Sequence, residues 1–478
     1  RFHEDHRWGT FPSFSAAWRI TEEKFMEGTR SWLDNLKLRG SWGKLGNANS
    51  GEYEYMATYN KVNNVLGNKQ QSGLAITTLA NELITWEKSQ TTNIGLDVNV
   101  LKNRLSFEFD FFNRKITDLL YRPEIYLTMG NKTPPRKNIA AMRNRGYEIT
   151  VGWNDQIQDF SYGITANMSY VKNKVLTHKG KLQEGWTTDE NGNNIYSSNL
   201  GEISEGGIQR ILEGHTINEY YLQDVYKVTG NYFQPDGTVN INGGPKDGMI
   251  RTEGDMEWLK AMMGSGYKFF PNQSIAKDKI WYGDYIYADA NGDGIYGNSY
   301  DNQFQGYSNE PKYNYGIQLF GAWKGIDVSM NFAGAAGFKL YWSPTSGYNT
   351  TATRVGISIP KDIGYNHYFY DPSNQDDPRT NITSSNPRLT LGENGSQNVS
   401  ASTRYLHSGN YLKMKNITIG YSLPTKIINK VMLQRVRVYF SGENLFTITN
   451  YPGQDPELGA NPGYTSVKQI AFGLNVAF

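Results

Sequence analysis

Along this chain apolar and polar residues trade places with a period of two, segment after segment. In the closing stretch "QIAFGLNVAF", Ile470, Phe472, Leu474, Val476 and Phe478 take every second position, while Ala471, Gly473, Asn475 and Ala477 fill the gaps. "LSFEFDFF" sets Leu105, Phe107, Phe109 and Phe111 against Ser106, Glu108 and Asp110, and "YEITVGW" puts Tyr147, Ile149, Val151 and Trp153 on one side. The same alternation runs through 94–100, 160–170, 313–319, 326–332, 417–423 and 436–440. A period of two belongs to a strand with one face buried or turned to lipid. With candidates at 11–20 and 35–45, the pattern predicts about eleven strands, each near the roughly 9 to 11 residues that cross a bilayer at a tilt.

The connections alternate in length. "KN" at 102–103, "NDQIQD" at 154–159 and "KG" at 324–325 are tight, whereas 47–85, 118–143, 173–311, 339–408 and 449–467 are long. Short turns on one side and long loops on the other predict an all-β chain folded as a transmembrane antiparallel β-barrel. Loops of that size are uncommon in compact soluble domains and are usually functional. Trp18, Trp42, Trp153, Tyr170 and Trp323 stand at strand ends, as interfacial girdles require. Single aromatics also end sandwich strands, so pattern alone leaves a soluble β-sandwich as the alternative. An odd number of antiparallel strands cannot close, because its first and last strands would meet in parallel. About eleven strands therefore cannot close by themselves.

Composition sharpens this picture at a few points. A length of 478 residues would suggest about three domains on size alone, but the repeated alternation argues for one large sheet. The 14% aromatic content and 50 glycines favour sheet with many turns. No stretch approaches the roughly 20 apolar residues of a membrane-spanning helix, and the mean hydropathy of −0.61 reads as soluble. A barrel escapes that test, since only alternate residues face lipid. A net charge of +2 without a long basic run argues against nucleic acid as a partner. The absence of cysteine excludes disulfides, thiolate metal sites and cysteine nucleophiles. The chain opens at Arg1 with neither methionine nor signal peptide, and reads as a fragment or a processed piece.

Several blocks together resemble the C-terminal half of the SusC/RagA-type TonB-dependent transporters of Bacteroidetes outer membranes. They are "RWGTFPSFSAAWRI", "WLDNLKLRGSWGKLGN", "TWEKSQTTNIGLDVNVLKNRLSFEFDFFNRKITDLL", "NIAAMRNRGYEITVGW", "YGDYIYADANGDG", "YLKMKNITIGYSLP", "VRVYFSGENLFTIT" and the terminal "FGLNVAF". The resemblance spans nearly the whole chain, 1–478, with 173–280 and 339–405 less distinctive. It implies a 22-stranded barrel with a plugged lumen, of which these strands are the second half. The plug, the TonB box and the earlier strands would lie outside this chain. It further implies a SusD-like surface lipoprotein as a lid on the extracellular loops, TonB acting through the N-terminal region, and location in the cell outer membrane. The apolar face of 470–478 would then meet lipid, and terminal Phe478 resembles the signal that barrel-assembly machinery reads.

The sharpest local motif, in the long extracellular region 173–311, is "DANGDGIYGNSYD" at 289–301. Asp289, Asn291 and Asp293 have the 1, 3, 5 oxygen spacing of an EF-hand-like loop, Gly294 holds the sharp-turn position, and Ile295 would offer its carbonyl. Position 12 is Tyr300, and the nearest carboxylate, Asp301, comes one residue late. The motif predicts a structural calcium ion; a turn of Asn, Asp and Gly that binds nothing is the alternative. Hard oxygen donors without His or Cys argue against zinc.

No catalytic constellation stands out. There is no HExxH, G-x-S-x-G or phosphate-loop pattern, and His3 and His6 in "RFHEDH", spaced by three, sit at the end of what reads as a fragment. The expectation is a non-enzyme. Trp186, Trp258, Trp281, Tyr282, Tyr341 and Trp342 fall in the long loops, where aromatic faces suit sugar rings, though each could equally be loop core or lid interface. Glu108 and Asp110 are lumen positions open to substrate or plug. The function expected is energy-coupled import of oligosaccharides. A peptide importer of the same family, a passive porin and a soluble β-rich carbohydrate-binding protein are the alternatives.

Overall fold

The computed structural model describes residues 2–48, 50–123, 128, 130, 132–204, 206–342, 361–389, 396–428, 433–460 and 464–478. Eleven strands follow one another in a single antiparallel sheet: β1 (Ser13–Arg19), β2 (Leu33–Asn47), β3 (Glu87–Val100), β4 (Leu105–Tyr121), β5 (Lys137–Ile157), β6 (Phe160–Thr177), β7 (Tyr313–Trp323), β8 (Ile326–Ala336), β9 (Tyr411–Ser422), β10 (Arg435–Glu443) and β11 (Gln469–Ala477). Each pairs with the next, and a short strand, Thr447–Thr449, continues the line of β10 against the end of β9. Among the described residues the outer edges of β1 and β11 carry no partner strand. The odd-numbered sheet is open, as the closure argument requires.

Register separates two faces. Ile317 lies opposite Phe332 and Ala166, Leu319 opposite Met330 and Ile164, Val438 opposite Leu474, and Phe440 opposite Phe472. These residues share one face, and Phe472 on it is 83% exposed, so nothing among the described residues covers it. Ser329 opposite Thr418, and Ser441 opposite Ala471, lie on the other face. That inner face also carries charge: Arg39 reaches across β3 to Asp97 at 2.8 Å and Asp110 at 2.9 Å, and Arg437 meets Asp327 at 2.9 Å.

The strands overrun the expected length. β4, β5 and β6 hold 17, 21 and 18 residues. Backbone pairing carries on past bilayer height to Tyr121 opposite Lys137 and Ala141 opposite Thr177. Much of 118–143 and 154–159, expected as connections, is therefore strand. The turn after β5 shrinks to Gln158 and Asp159, with Gln158 at φ 53°. A second difference lies in the 48–86 connection, where Thr58–Leu66 and Lys69–Thr78 form a hairpin. Its two turn residues, Gly67 and Asn68, take φ 57° and 59°, the left-handed pair that matches strand twist.

The main apolar core sits in the long connections rather than in the sheet. The helix α1 (Glu253–Gly264) starts at Thr252, whose side chain accepts from the Asp255 amide while Asp255 accepts from the Thr252 amide, a capping box. Met256, Leu259 and Met262, spaced at three residues, bury one face of α1, and Trp258 beside them is also fully enclosed. They pack on Met249, Phe269, Ile286 and Tyr287.

Candidate functional site

The loops after β6 and after β8 fold as one module on the long-loop side of the sheet. Asp284, 1% exposed, receives Nε and Nη2 of Arg388 at 2.7 and 2.8 Å, the Asn398 amide at 2.8 Å and the Trp281 backbone amide at 2.8 Å. Burial pushes its carboxyl up, against the pull of Arg388. Tyr287 donates to the Gln397 carbonyl, and Arg251 donates to the carbonyls of Ile382 and Ser384. Residues more than 100 positions apart thus close one another's polar groups, which is what a buried network needs to be stable.

The 289–301 loop stands on this module. Asp289 accepts from the amides of Gly292 at 2.7 Å and Gly294 at 2.8 Å, and Asp293 accepts from Ile295 at 2.8 Å and from the Asn298 side chain at 2.8 Å. Gly292 and Gly294 both take φ 77°, which a side chain would strain. Asp301 does not stand open as a closing ligand. Its oxygens accept from the amides of Ala290, Gly297 and Asn298, so it caps the loop from within, and burial pushes its carboxyl up to about 6. Among the described residues no three His, Cys, Asp or Glu side chains converge as a metal cage. The donor set left for a hard cation is Asp289, Asn291, Asp293 and the carbonyl of Ile295, fewer than the six to eight oxygens calcium takes.

The six loop aromatics separate into different roles. Trp258 is fully buried, donates from Nε1 to the Asn240 carbonyl at 2.8 Å, and lies tilted against Tyr226, so as a ligand platform it is corrected to module core. Tyr282 is likewise buried, its ring edge-on to Trp281 and Tyr370. Trp281 remains half-buried and lines a cleft of about 210 Å³ with Tyr370 and His367. Trp186 stands 51% exposed on the hairpin formed by Glu184–Thr188 and Asn194–Ser198, edge-on to Tyr196. Tyr341 and Trp342 lie near each other at the end of β8, against Tyr405 and His407 respectively. Phe478 ends the chain 86% exposed.

Tyr341 belongs to a group that period-two reading did not reveal. The final long connection folds back over the inner face, where Lys413 of β9 lies 2.6 Å from Asp455 and 2.8 Å from Glu457. Tyr451 and Ala460 of that connection pack on Ala335, Phe338 and Tyr411. Between the connection and Tyr220, Phe338, Tyr341 and Tyr411 a crevice of about 500 Å³ remains, at the long-loop end of β7–β9. Tyr341 and Tyr220 touch directly, the Tyr341 amide donating to the Tyr220 hydroxyl at 3.2 Å. Their separation of 121 residues leaves no local signal in the sequence.

A family model described as TonB dependent receptor-like, beta-barrel, matches residues 1–240. A TonB-dependent receptor of Formosa agariphila is 28% identical over all of this chain and 42% of its own length. The TonB-dependent receptor SusC of Bacteroides thetaiotaomicron is 26% identical over all of this chain and 41% of its own. The chain thus spans about two fifths of the length of the curated relatives it matches. Among solved structures, that of the RagAB peptide transporter overlays all of this chain and 44% of that chain, with a TM-score of 0.71 at 20% identity.

Proposed function

This chain belongs to the TonB-dependent receptor-like β-barrel family, and on that premise we propose that it forms the C-terminal wall and loops of an outer-membrane importer of oligosaccharides. In this reading the apolar belt of β1–β11 faces lipid and the long-loop module faces the cell exterior. Ligand is held between these loops and a SusD-like lipoprotein lid. TonB then pulls on a plug supplied by the rest of the transporter and opens a path along the inner face. The chain itself does no covalent chemistry; it binds, encloses and lines.

The observation that carries the reading is the division of the sheet into an uncovered apolar face and a small, polar inner one, with a folded module over one end. The 289–301 loop is proposed to take a structural calcium ion through Asp289, Asn291, Asp293 and the Ile295 carbonyl, with water supplying the remaining oxygens and Asp301 holding the loop closed. Peptides are the second cargo to test, because a solved structure of similar fold, RagAB, is that of a peptide transporter.

The test is calorimetric titration of the intact, detergent-purified transporter with its lid against defined oligosaccharides and mixed peptides. Saturable binding of one glycan class is the expected result; binding by peptides alone overturns the cargo. Heat-modifiable migration in detergent checks the barrel separately, since a species that stays compact when cold and expands on boiling is expected.

A further inference from the structure

We propose that the crevice between the Pro456–Ala460 segment and Tyr220, Tyr341 and Tyr411 is a subsite for neutral sugar residues, an assignment that rests on the import reading above. Its volume of about 500 Å³ lies within the roughly 300–1,000 Å³ of small-ligand sites. It is placed on the inner side of the wall, since Lys413 and Tyr411 pair with Ala333 and Ala335 in the register that alternates with the lipid-facing positions. A ligand moving along the inner face meets it at the mouth.

Three features select the ligand chemistry. Aromatic walls come first: the half-buried Tyr341 and Tyr411 line the crevice with rings that suit the C–H faces of a pyranose, backed by the buried Tyr220 and Phe338. Hydrogen-bonding groups stand beside them. Asn309 is exposed at the rim, and its Oδ1 already accepts from Gln209 Nε2 at 3.1 Å, which leaves its NH2 to donate to a ligand oxygen.

Charge is the third feature. Among the described lining residues the one charged side chain is Glu457, and its carboxylate is already held by Lys413 at 2.8 Å and by Lys415. The described lining therefore offers no uncommitted charge to a peptide terminus or an acidic sugar, whose desolvation would go uncompensated. A neutral ring with hydroxyls and one apolar face meets every group present.

The experiment titrates the intact transporter and its lid with neutral oligosaccharides of glucose, galactose, mannose and xylose, with oligogalacturonate, and with a mixture of short peptides. Two variants are compared with wild type: Asn309→Ala, which removes an exposed donor together with the acceptor of Gln209, and Ala460→Phe, which fills the crevice. A neutral glycan should bind wild type, about tenfold more weakly in Ala460→Phe and several-fold more weakly in Asn309→Ala, with heat-modifiable migration unchanged. Equal affinity in wild type and both variants overturns the subsite and leaves the import reading standing. Binding of oligogalacturonate alone overturns the neutral assignment within that reading. Binding of peptides alone, or of nothing, overturns both.

Discussion

The ammonium of Lys413 lies 2.6 Å from the carboxylate of Asp455, and the two residues join the wall strand β9 to the connection that precedes β11. Lys413 is 2% exposed and is met by Glu457 as well, at 2.8 Å. A cation this enclosed is stable only because both carboxylates and the Ser466 hydroxyl surround it. The pair is the hinge on which the mouth crevice depends, because it holds the Pro456–Leu458 turn against the inner face.

Lys413→Ala should free that connection. Removing one partner of a buried pair costs about 3 kcal/mol, mostly from stranding the carboxylates. Limited proteolysis of the assembled transporter should show a new cleavage within the connection, while the barrel keeps its cold compact migration. An unchanged digestion pattern would show that packing by Tyr451 and Ala460 suffices.

Acid should have the same effect as that variant. Burial pushes the carboxyls of Asp455 and Glu457 up, but the lysines outweigh it and hold both below the usual carboxylate range. For an acid whose folded value is depressed, the stabilisation is present above the unfolded value, about 4, and is lost as pH falls through the folded one. Acid-stable proteolysis at pH 3 and pH 7 should therefore differ in this connection, with cleavage at the lower pH, and Lys413→Ala should abolish the difference.

Arg388→Ala tests the module independently of the wall. It leaves Asp284 ionised or protonated without its bidentate partner at 1% exposure, a loss of about 3 kcal/mol or more. Protease resistance of both connections, after β6 and after β8, should fall together. Cleavage confined to one of them would mean that they do not fold as a unit.

Two tryptophans should separate core from surface. Trp258→Ala empties a fully buried site and should cost roughly 3–5 kcal/mol, seen as a lower melting temperature of the module by tryptophan fluorescence. Trp281→Ala, at a half-buried position, should shift that melting little, so any change it makes in glycan affinity reports on contact.

Calcium and assembly each have a direct check. Asp289→Ala with Asp293→Ala should remove calcium found by elemental analysis of the purified transporter, and a chelator should lower module stability in wild type only. Equal calcium in both proteins retires the ion. Phe478→Asp should reduce the amount of assembled, heat-modifiable barrel in outer membranes, whereas normal levels would dispose of its role as an assembly signal.

What the chain declares locally is its wall. Alternation such as Phe107, Phe109 and Phe111 is repeated every two residues because strand geometry is local, so strand number, faces and the need for further strands could be read directly. The Asp289–Asp293 loop was legible for the same reason, its spacing being contained within a few residues. The lengths of β4–β6 were not, because pairing such as Tyr121 with Lys137 is decided by the partner strand and continues after the hydrophobic pattern has ended. Nor was the fate of the loop aromatics: Trp258 and Trp281 look alike in sequence, and only the packing of α1 buries one and leaves the other at a cleft. The crevice belongs wholly to tertiary structure, since Tyr220, Phe338, Tyr411 and Ala460 are brought together by ion pairs and backbone closures between distant segments, and such contacts leave no period in the chain that makes them.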